Sequence, residues 1–323
     1  MTANTRPIIV TMGDPNGVGP EVVLRALPCL NPAQQARLLV VGDPEYMARL
    51  SLDLNLGELP PLQFAAPGSF SYPPRWGVVS REAGGFAVAC LAKALEEIQR
   101  HNGGLLVTAP IHKVAARLAG FDHPGQTEFI ASYFPGHSAA MGFFSGPLKI
   151  VLVTVHVPLR EVANRLSCEE IERCGQLLFE ALRESGIESP RIAVAGLNPH
   201  ASEAGQFGIE EEQIVEPALR RLRDRAGSRA FSGPFPPDSL FHRAAQGEFD
   251  GVVALYHDQG LIPVKLLAFH SAVNVTLGLP VVRTSPCHGT AFDIAGRGCA
   301  DPRSMQEAFR WGIRLSETRG RGG

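Results

Sequence analysis

The chain has 323 residues, 45% hydrophobic and 19% charged, with 30 Lys and Arg against 32 Asp and Glu; this is a globular composition, long enough for two domains of ordinary size. A formal charge of −2 leaves no basic excess to neutralise a phosphate backbone, which argues against nucleic-acid binding but not against local capture of a small anion. No stretch reaches the roughly 18 apolar residues of a membrane span: the most apolar run, Pro147 to Leu159, is too short, contains Lys149 and His156, and reads as a buried strand.

Met1 to Arg6 shows no export-signal pattern, so the cytoplasm is the expected location. Short apolar, β-branched runs then alternate with helical patterns: Ile8 to Met12, Leu38 to Val41, Leu105 to Thr108, Ile150 to Val155, Ile192 to Ala195, Val252 to Tyr256 and Val273 to Thr276. Continuous hydrophobicity in such short runs predicts strands buried on both faces, hence a mainly parallel sheet in an α/β protein. Gly13 to Gly19 follows the first strand but does not read Gly-x-Gly-x-x-Gly, and its expected role is a strand-to-helix turn with Pro20 at the first helical position. Leu59 to Pro74 and Ser232 to Pro237 are Pro-rich and read as irregular connections. Phe86 to Arg100 places Leu91, Ala94, Leu95 and Ile98 at helical spacing before a stop at Asn102-Gly103-Gly104. Ser167 to Glu170 has capping-box spacing ahead of a helix expected to run to about Ser185 and to close at Gly186. Six cysteines without a CxxC pair predict free thiols, and Arg319 to Gly323 is expected to be disordered.

Three histidines stand directly after buried runs: His156, His200 (through Gly196-Leu197-Asn198-Pro199) and His257. In an open parallel sheet the carboxyl ends of the strands share one edge, where ligands bind, so three imidazoles from three such loops can converge. Three neutral histidines with an open fourth position is the ligand set of a catalytic divalent metal site. The plain alternative is that each is a hydrogen-bonded loop histidine. Asp258, beside His257, reads equally as a partner orienting a metal ligand, as a base, or as a helix N-cap.

Ordered motifs run nearly end to end: Met12-Gly13-Asp14-Pro15-Asn16-Gly17-Val18-Gly19-Pro20-Glu21, Ala109-Pro110-Ile111-His112-Lys113, Gly125-Gln126-Thr127-Glu128-Phe129, Leu197-Asn198-Pro199-His200-Ala201, Tyr256-His257-Asp258-Gln259-Gly260 through Lys265, Val273 to Pro280, and His288-Gly289-Thr290-Ala291. In these the sequence resembles the 4-hydroxythreonine-4-phosphate dehydrogenases of pyridoxal 5′-phosphate biosynthesis. The resemblance implies an isocitrate and isopropylmalate dehydrogenase-like α/β/α fold, with two subdomains flanking a cleft. We place them at 1–130 plus 285–323 on the cofactor side and at 131–284 on the metal, substrate and dimer side. It implies a homodimer with its active site at the interface, a divalent ion (Zn, Co, Mn or Mg) on His156, His200 and His257, and substrate contacts from Gln126, Thr127, Lys265, Asn274 and Arg283. Asp258 and Lys265 are the expected catalytic side chains. The segment His288, Gly289, Thr290, Ala291 and Asp293 looks like the loop with which isopropylmalate-type dehydrogenases hold the adenosine half of NAD, and the hydride acceptor is NAD or NADP. Lys265 and Arg283 suit a phosphate or carboxylate.

The implied reaction is oxidation of the C3 hydroxyl of 4-phosphooxy-L-threonine, followed by loss of CO₂ from the β-keto acid. Two positions depart from the family pattern: Gln126 stands where the family has His, and Cys287 where it has Asp before His-Gly-Thr. Glutamine only hydrogen-bonds, whereas an imidazole also carries charge, so the departure bears on the substrate more than on the reaction. Relatives acting on phosphorylated sugar acids such as threonate or erythronate 4-phosphate, or on a carboxylated cyclic dihydrodiol, define the alternatives. Metal-dependent hydrolysis is a rival class, since three histidines and Asp258 also suit water activation, and a phosphate acyltransferase on a related scaffold is a third.

Overall fold

A computed structural model describes residues 6–319. The chain divides into two compact units, Met1–Ala139 with Val273–Val275 and Leu279–Gly323, and Ala140–Ala272 with Thr276–Gly278. The expectation at the carboxyl terminus lies, beyond residue 319, outside the described residues.

In the first unit, β1 (Ile8–Thr11), β2 (Leu38–Val41), β3 (Gln63–Phe64) and β4 (Leu105–Thr108) join β11 (Val282–Pro286) and β10 (Val273–Leu277), the last through its Val273–Val275 part, in the order β3-β2-β1-β4-β11-β10. The pairs β1–β2, β1–β4, β2–β3 and β4–β11 are parallel, as double-sided burial predicts. Ile8, Ile9, Val10, Leu106 and Val107 are wholly buried. The turn after β1 leads into the helix Gly19–Ala26, with Pro20 in its first turn, second rather than first. The helix Arg81–Arg100 begins five residues before the expected Phe86, because Ser80 caps it by accepting from the Ala83 N–H. Gly84 and Gly85 hide that first turn from the apolar pattern. A Cβ on Gly84 would lie 2.1 Å from the Ala115 carbonyl carbon, so glycine is what lets the helix Lys113–Leu118 pack this closely.

In the second unit, β5 (Ala140–Phe144), β6 (Lys149–Leu152), β7 (Ile192–Ala195), β8 (Phe231–Phe235) and β9 (Gly251–Ala254) run β5-β6-β9-β7-β8. The pairs β6–β9, β9–β7 and β7–β8 are parallel and β5–β6 is antiparallel. The expected helix appears as Cys168–Glu184 with Ser167 as N-cap; Ser185 and Gly186, at φ 94°, end it. Glu170 turns to Arg173 rather than closing a full capping box.

Four strands differ from the apolar pattern, and the shortest, β3, is a two-residue strand inside the Pro-rich Leu59 to Pro74. β8 occupies Phe231–Phe235, part of which was read as irregular; its Gly233-Pro234 peptide is cis. β11 is buried throughout yet carries Arg283, Thr284 and Ser285, polar residues that hide a strand from an apolar pattern. β5, Ala-Met-Gly-Phe-Phe, pairs antiparallel with β6 and lacks the β-branched run that marks the parallel strands. All six cysteines are free thiols. Among the described residues no helix is long and apolar enough to cross a membrane.

Candidate active site

Because β6, β9 and β7 are parallel, their carboxyl ends open onto one edge of the second unit's sheet, and each leads to one of the three histidines. His156 follows β6; His257 follows β9 as the first residue of the helix His257–Ala268; His200 follows β7 in the tight turn Pro199–Ser202. The rings of His156 and His257 lie 5.9 Å apart between centroids. His257 Nδ1 sits 2.6 Å from Asp258 Oδ1, a contact that orients the ring through that nitrogen. Asp258 is therefore not the N-cap, a position taken by Tyr256.

His200 is held differently. Its ring packs 6.2 Å from that of Phe207, and its φ of 55° opens a run of positive φ through Ala201, Ser202, Glu203 and Ala204. Side-chain-bearing residues rarely adopt that region, and a succession of them persists only where surrounding bonds over-determine the loop. The run is closed by backbone bonds from Ala201 N to Asn198 O and from Gly205 and Phe207 N to Ser202 O, each at 3.1 Å. The segment that leads into it is held by Glu211, which is 2% exposed: its Oε1 accepts from the N–H groups of Leu197 and Asn198 at 2.8 and 2.7 Å, and its Oε2 accepts from Asn198 Nδ2 at 2.9 Å. Gln259 ties the neighbouring loop in, accepting from Leu255 N at 2.6 Å and donating to Gly196 O at 2.8 Å. Among the described residues no group of three His, Cys, Asp or Glu side chains is close enough to hold a metal ion.

Lys265 is exposed and lies eight residues beyond His257 on the same helix, about 12 Å along its axis. Ile262, Leu266 and Phe269, at helical spacing on that segment, are 64%, 83% and 66% exposed and make an uncovered apolar stripe.

The first unit carries the other expected residues. Arg283, on β11 between β4 and β10, is 3% exposed; it donates to Thr108 Oγ1 at 2.7 Å from Nη2 and to Thr127 Oγ1 at 3.4 Å from Nη1. Burial pushes the guanidinium down to about 10, opposed by the Glu128 carboxylate and the Cys287 thiol. Two of the groups that Arg283 bonds are neutral hydroxyls, and a buried guanidinium is a chemistry suited to a phosphate or carboxylate. The Cys287 backbone N–H bonds Ser304 Oγ at 3.0 Å. Gln126 opens the helix Gln126–Ser132 and donates from Nε2 to Ala109 O at 3.2 Å, while its Oε1 is buried without a partner. Asn274 Oδ1 is likewise buried and unmatched.

Gly13 to Gly19 and His288 to Asp293 pack on one another. Val18 N donates to Thr290 O at 2.9 Å, a Cβ on Gly17 would come within 2.9 Å of Thr290, and His112 stacks on Phe292 at 4.6 Å. His288 Nδ1 is 2.9 Å from Gly289 O, and since a carbonyl only accepts, Nδ1 carries the proton. That leaves Nε2 as a buried acceptor without a partner, which fits a hydroxyl or amino group of a nucleoside cofactor. Thr290 is buried and Asp293 exposed. Asp14, fully buried, accepts from Asn16 N at 2.9 Å through Oδ1; its Oδ2 is unmatched and burial raises its pKa.

The supporting residues Thr108, Glu211 and Gln259 were not singled out from sequence. Their roles depend on contacts that reach up to 175 positions along the chain, and only Gln259, within Tyr256-His257-Asp258-Gln259-Gly260, carries a sequence signal.

The family profile described as pyridoxal phosphate biosynthetic protein PdxA matches residues 34–312. The chain is 42% identical over 326 residues to a 4-hydroxythreonine-4-phosphate dehydrogenase of Desulfosudis oleivorans, covering 96% of each. It is 38% identical over 328 residues to the D-threonate 4-phosphate dehydrogenase of Salmonella typhimurium, covering 97% of this chain and 99% of that one. The crystal structure of the Klebsiella pneumoniae 4-hydroxythreonine-4-phosphate dehydrogenase superposes with a TM-score of 0.82 at 36% identity, over 98% of this chain and 100% of that one. An isocitrate dehydrogenase from Methylococcus capsulatus, at 14% identity and a TM-score of 0.50, shares the fold alone. The chain therefore belongs to the 4-hydroxythreonine-4-phosphate dehydrogenase family, the PdxA family of pyridoxal phosphate biosynthesis.

Proposed function

We propose that this protein oxidises the C3 hydroxyl of 4-phosphooxy-L-threonine, with NAD or NADP as hydride acceptor, to 2-amino-3-oxo-4-phosphooxybutanoate. Loss of CO₂ then gives 3-amino-2-oxopropyl phosphate for pyridoxine 5′-phosphate synthesis, in the cytoplasm. The observation that carries the reading is the buried Arg283 guanidinium, bonded to Thr108 and Thr127 and beside Gln126: a ready site for an anionic head group within a chain whose relatives act on phosphorylated hydroxy acids. In the first unit Asn274 is a further proposed polar contact; in the second, Lys265, long and exposed, is a candidate cation of its own.

His288 to Asp293, closed by the glycine loop at Val18, supports the nicotinamide cofactor, which supplies the hydride acceptor that side chains lack. His156, His257 and His200 are the proposed ligands of a divalent ion (Zn, Co, Mn or Mg). Such an ion acidifies a chelated hydroxyl and polarises the carbonyl that replaces it. Asp258 orients the imidazole of His257. His156 and His257 meet, whereas His200 packs on Phe207, so we assign the third imidazole to a second copy of the chain. The uncovered stripe of Ile262, Leu266 and Phe269 supports such a homodimer.

Mixing the metal-supplemented protein with NAD and 4-phosphooxy-L-threonine should raise absorbance at the reduced-nicotinamide band. A hydrolase or an acyltransferase on this scaffold leaves that band flat.

A further inference from the structure

We propose that Gln126 is a specificity-determining residue that requires a hydrogen-bond donor on C2 of the substrate; the inference rests on the oxidation proposed above and deepens it. The side-chain amide has two ends, and the protein fixes which end faces where. Nε2 donates at 3.2 Å to Ala109 O, a carbonyl that cannot donate in return, so the amide cannot be turned over without losing that bond. Oε1 is thereby committed as the outward acceptor, and it is buried without a partner. Folded proteins leave few buried acceptors unmatched, because each forfeits its hydration, so an acceptor held this way calls for a donor.

The place matters as much as the polarity. The next residue, Thr127, bonds the buried Arg283 at 3.4 Å, which sets Gln126 beside the anion site. A phosphate dianion or a carboxylate brings only lone pairs to Oε1 and is repelled there. Among the groups of a 4-phosphooxy-3-hydroxy acid, the phosphate and the carboxylate carry no proton to give, and the C3 hydroxyl gives its proton up in the reaction. The C2 substituent, an ammonium or a hydroxyl, is the remaining donor. Gln126 thus admits amino and hydroxy acids alike and rejects the compound with neither. A site built around a buried polar atom discriminates strongly against a ligand that leaves the atom unpaired, by about 100-fold or more.

The test compares kcat/KM for three compounds: 4-phosphooxy-L-threonine, its 2-hydroxy counterpart 4-phosphooxy-threonate, and the 2-deoxy acid 3-hydroxy-4-phosphooxybutanoate. The wild-type protein should prefer at least one of the first two over the third by about 100-fold or more. Gln126→Met, similar in length but with neither a strong donor nor a strong acceptor, should erase most of that preference by lowering kcat/KM for the favoured compound far more than for the deoxy acid. Gln126→Glu, which puts a negative charge at the same place, should shift the ratio of amino to hydroxy acid toward the amino acid. Equal losses on all three compounds in Gln126→Met, or a wild-type protein indifferent to the C2 substituent, would overturn the inference while leaving the oxidation intact. If no compound reduces NAD, the oxidation itself falls, and the inference with it.

Discussion

The two units hold their polar residues in opposite ways. In the first, Arg283 lies inside the sheet, bonded to Thr108 and Thr127, so the proposed anion contact is buried. In the second, the histidines stand exposed or half-exposed after the strands, two of them together and the third drawn into a turn of positive-φ residues. Burial makes the first site costly in stability and ready in geometry. Exposure makes the histidines of the second inexpensive in stability. A stability and an activity measurement on the same variant therefore separate the two.

The largest effect is expected in the second unit. His257→Ala or His156→Ala should lower kcat/KM by about 1,000-fold or more if metal ligation is lost, with little change in Tm because neither ring is buried. Arg283→Met should hold or raise Tm. Replacing a buried charge by a well-packed apolar chain is often neutral or stabilising, while loss of the anion contact should cost about 100-fold in kcat/KM, mostly through KM. Arg283→Lys should rescue little, since a single ammonium cannot span Thr108 and Thr127. A Tm that drops sharply in Arg283→Met would mean the guanidinium is a structural bolt instead.

Glu211→Gln sharpens the contrast inside the second unit. The amide would set a donor against the Nδ2 of Asn198, loosening the turn that carries His200 without touching a ligand. Loss of metal affinity by roughly 10-fold to 100-fold is typical when such a supporting partner is removed, and equilibrium dialysis with Zn²⁺ would read it.

The smallest effect is pH-dependent. Burial raises the pKa of Asp14 above its ordinary 3.8, so the folded protein binds that proton more tightly than the unfolded chain does. The folded state is favoured below pH 3.8 and loses this advantage as pH rises through the raised value. Asp14→Asn should accordingly gain most in Tm over the wild type near pH 7, and the gain should fade as the pH is lowered. A constant difference across pH would show that the carboxyl does not titrate in the folded protein.

The buried strands β1, β2, β4 and β7 were legible because both of their faces are apolar, and the three histidines because each directly follows such a strand. β11 was not, since Arg283, Thr284 and Ser285 look like loop residues until the sheet closes around them. The expected boundaries put Asn274 and Arg283 with the metal-side subdomain; the compact units group both with the first, because β11 pairs with β4. Asp258 left three readings open in the sequence, and a 2.6 Å contact to His257 resolves its place though not its chemistry. The backbone of Pro199–Ser202 was invisible for a different reason: nothing in Asn-Pro-His-Ala-Ser announces a left-handed turn, and its support arrives from Glu211.

The most direct test of the account is complementation between two inactive variants, His200→Ala and His257→Ala, unfolded together or co-expressed so that mixed dimers form. If His200 of one copy completes the His156–His257 pair of the other, each mixed dimer holds one intact site, and a one-to-one mixture should recover about a quarter of wild-type NADH formation. If all three histidines act within one chain, every site in the mixed dimer keeps a defect, and the mixture stays as inactive as either variant alone.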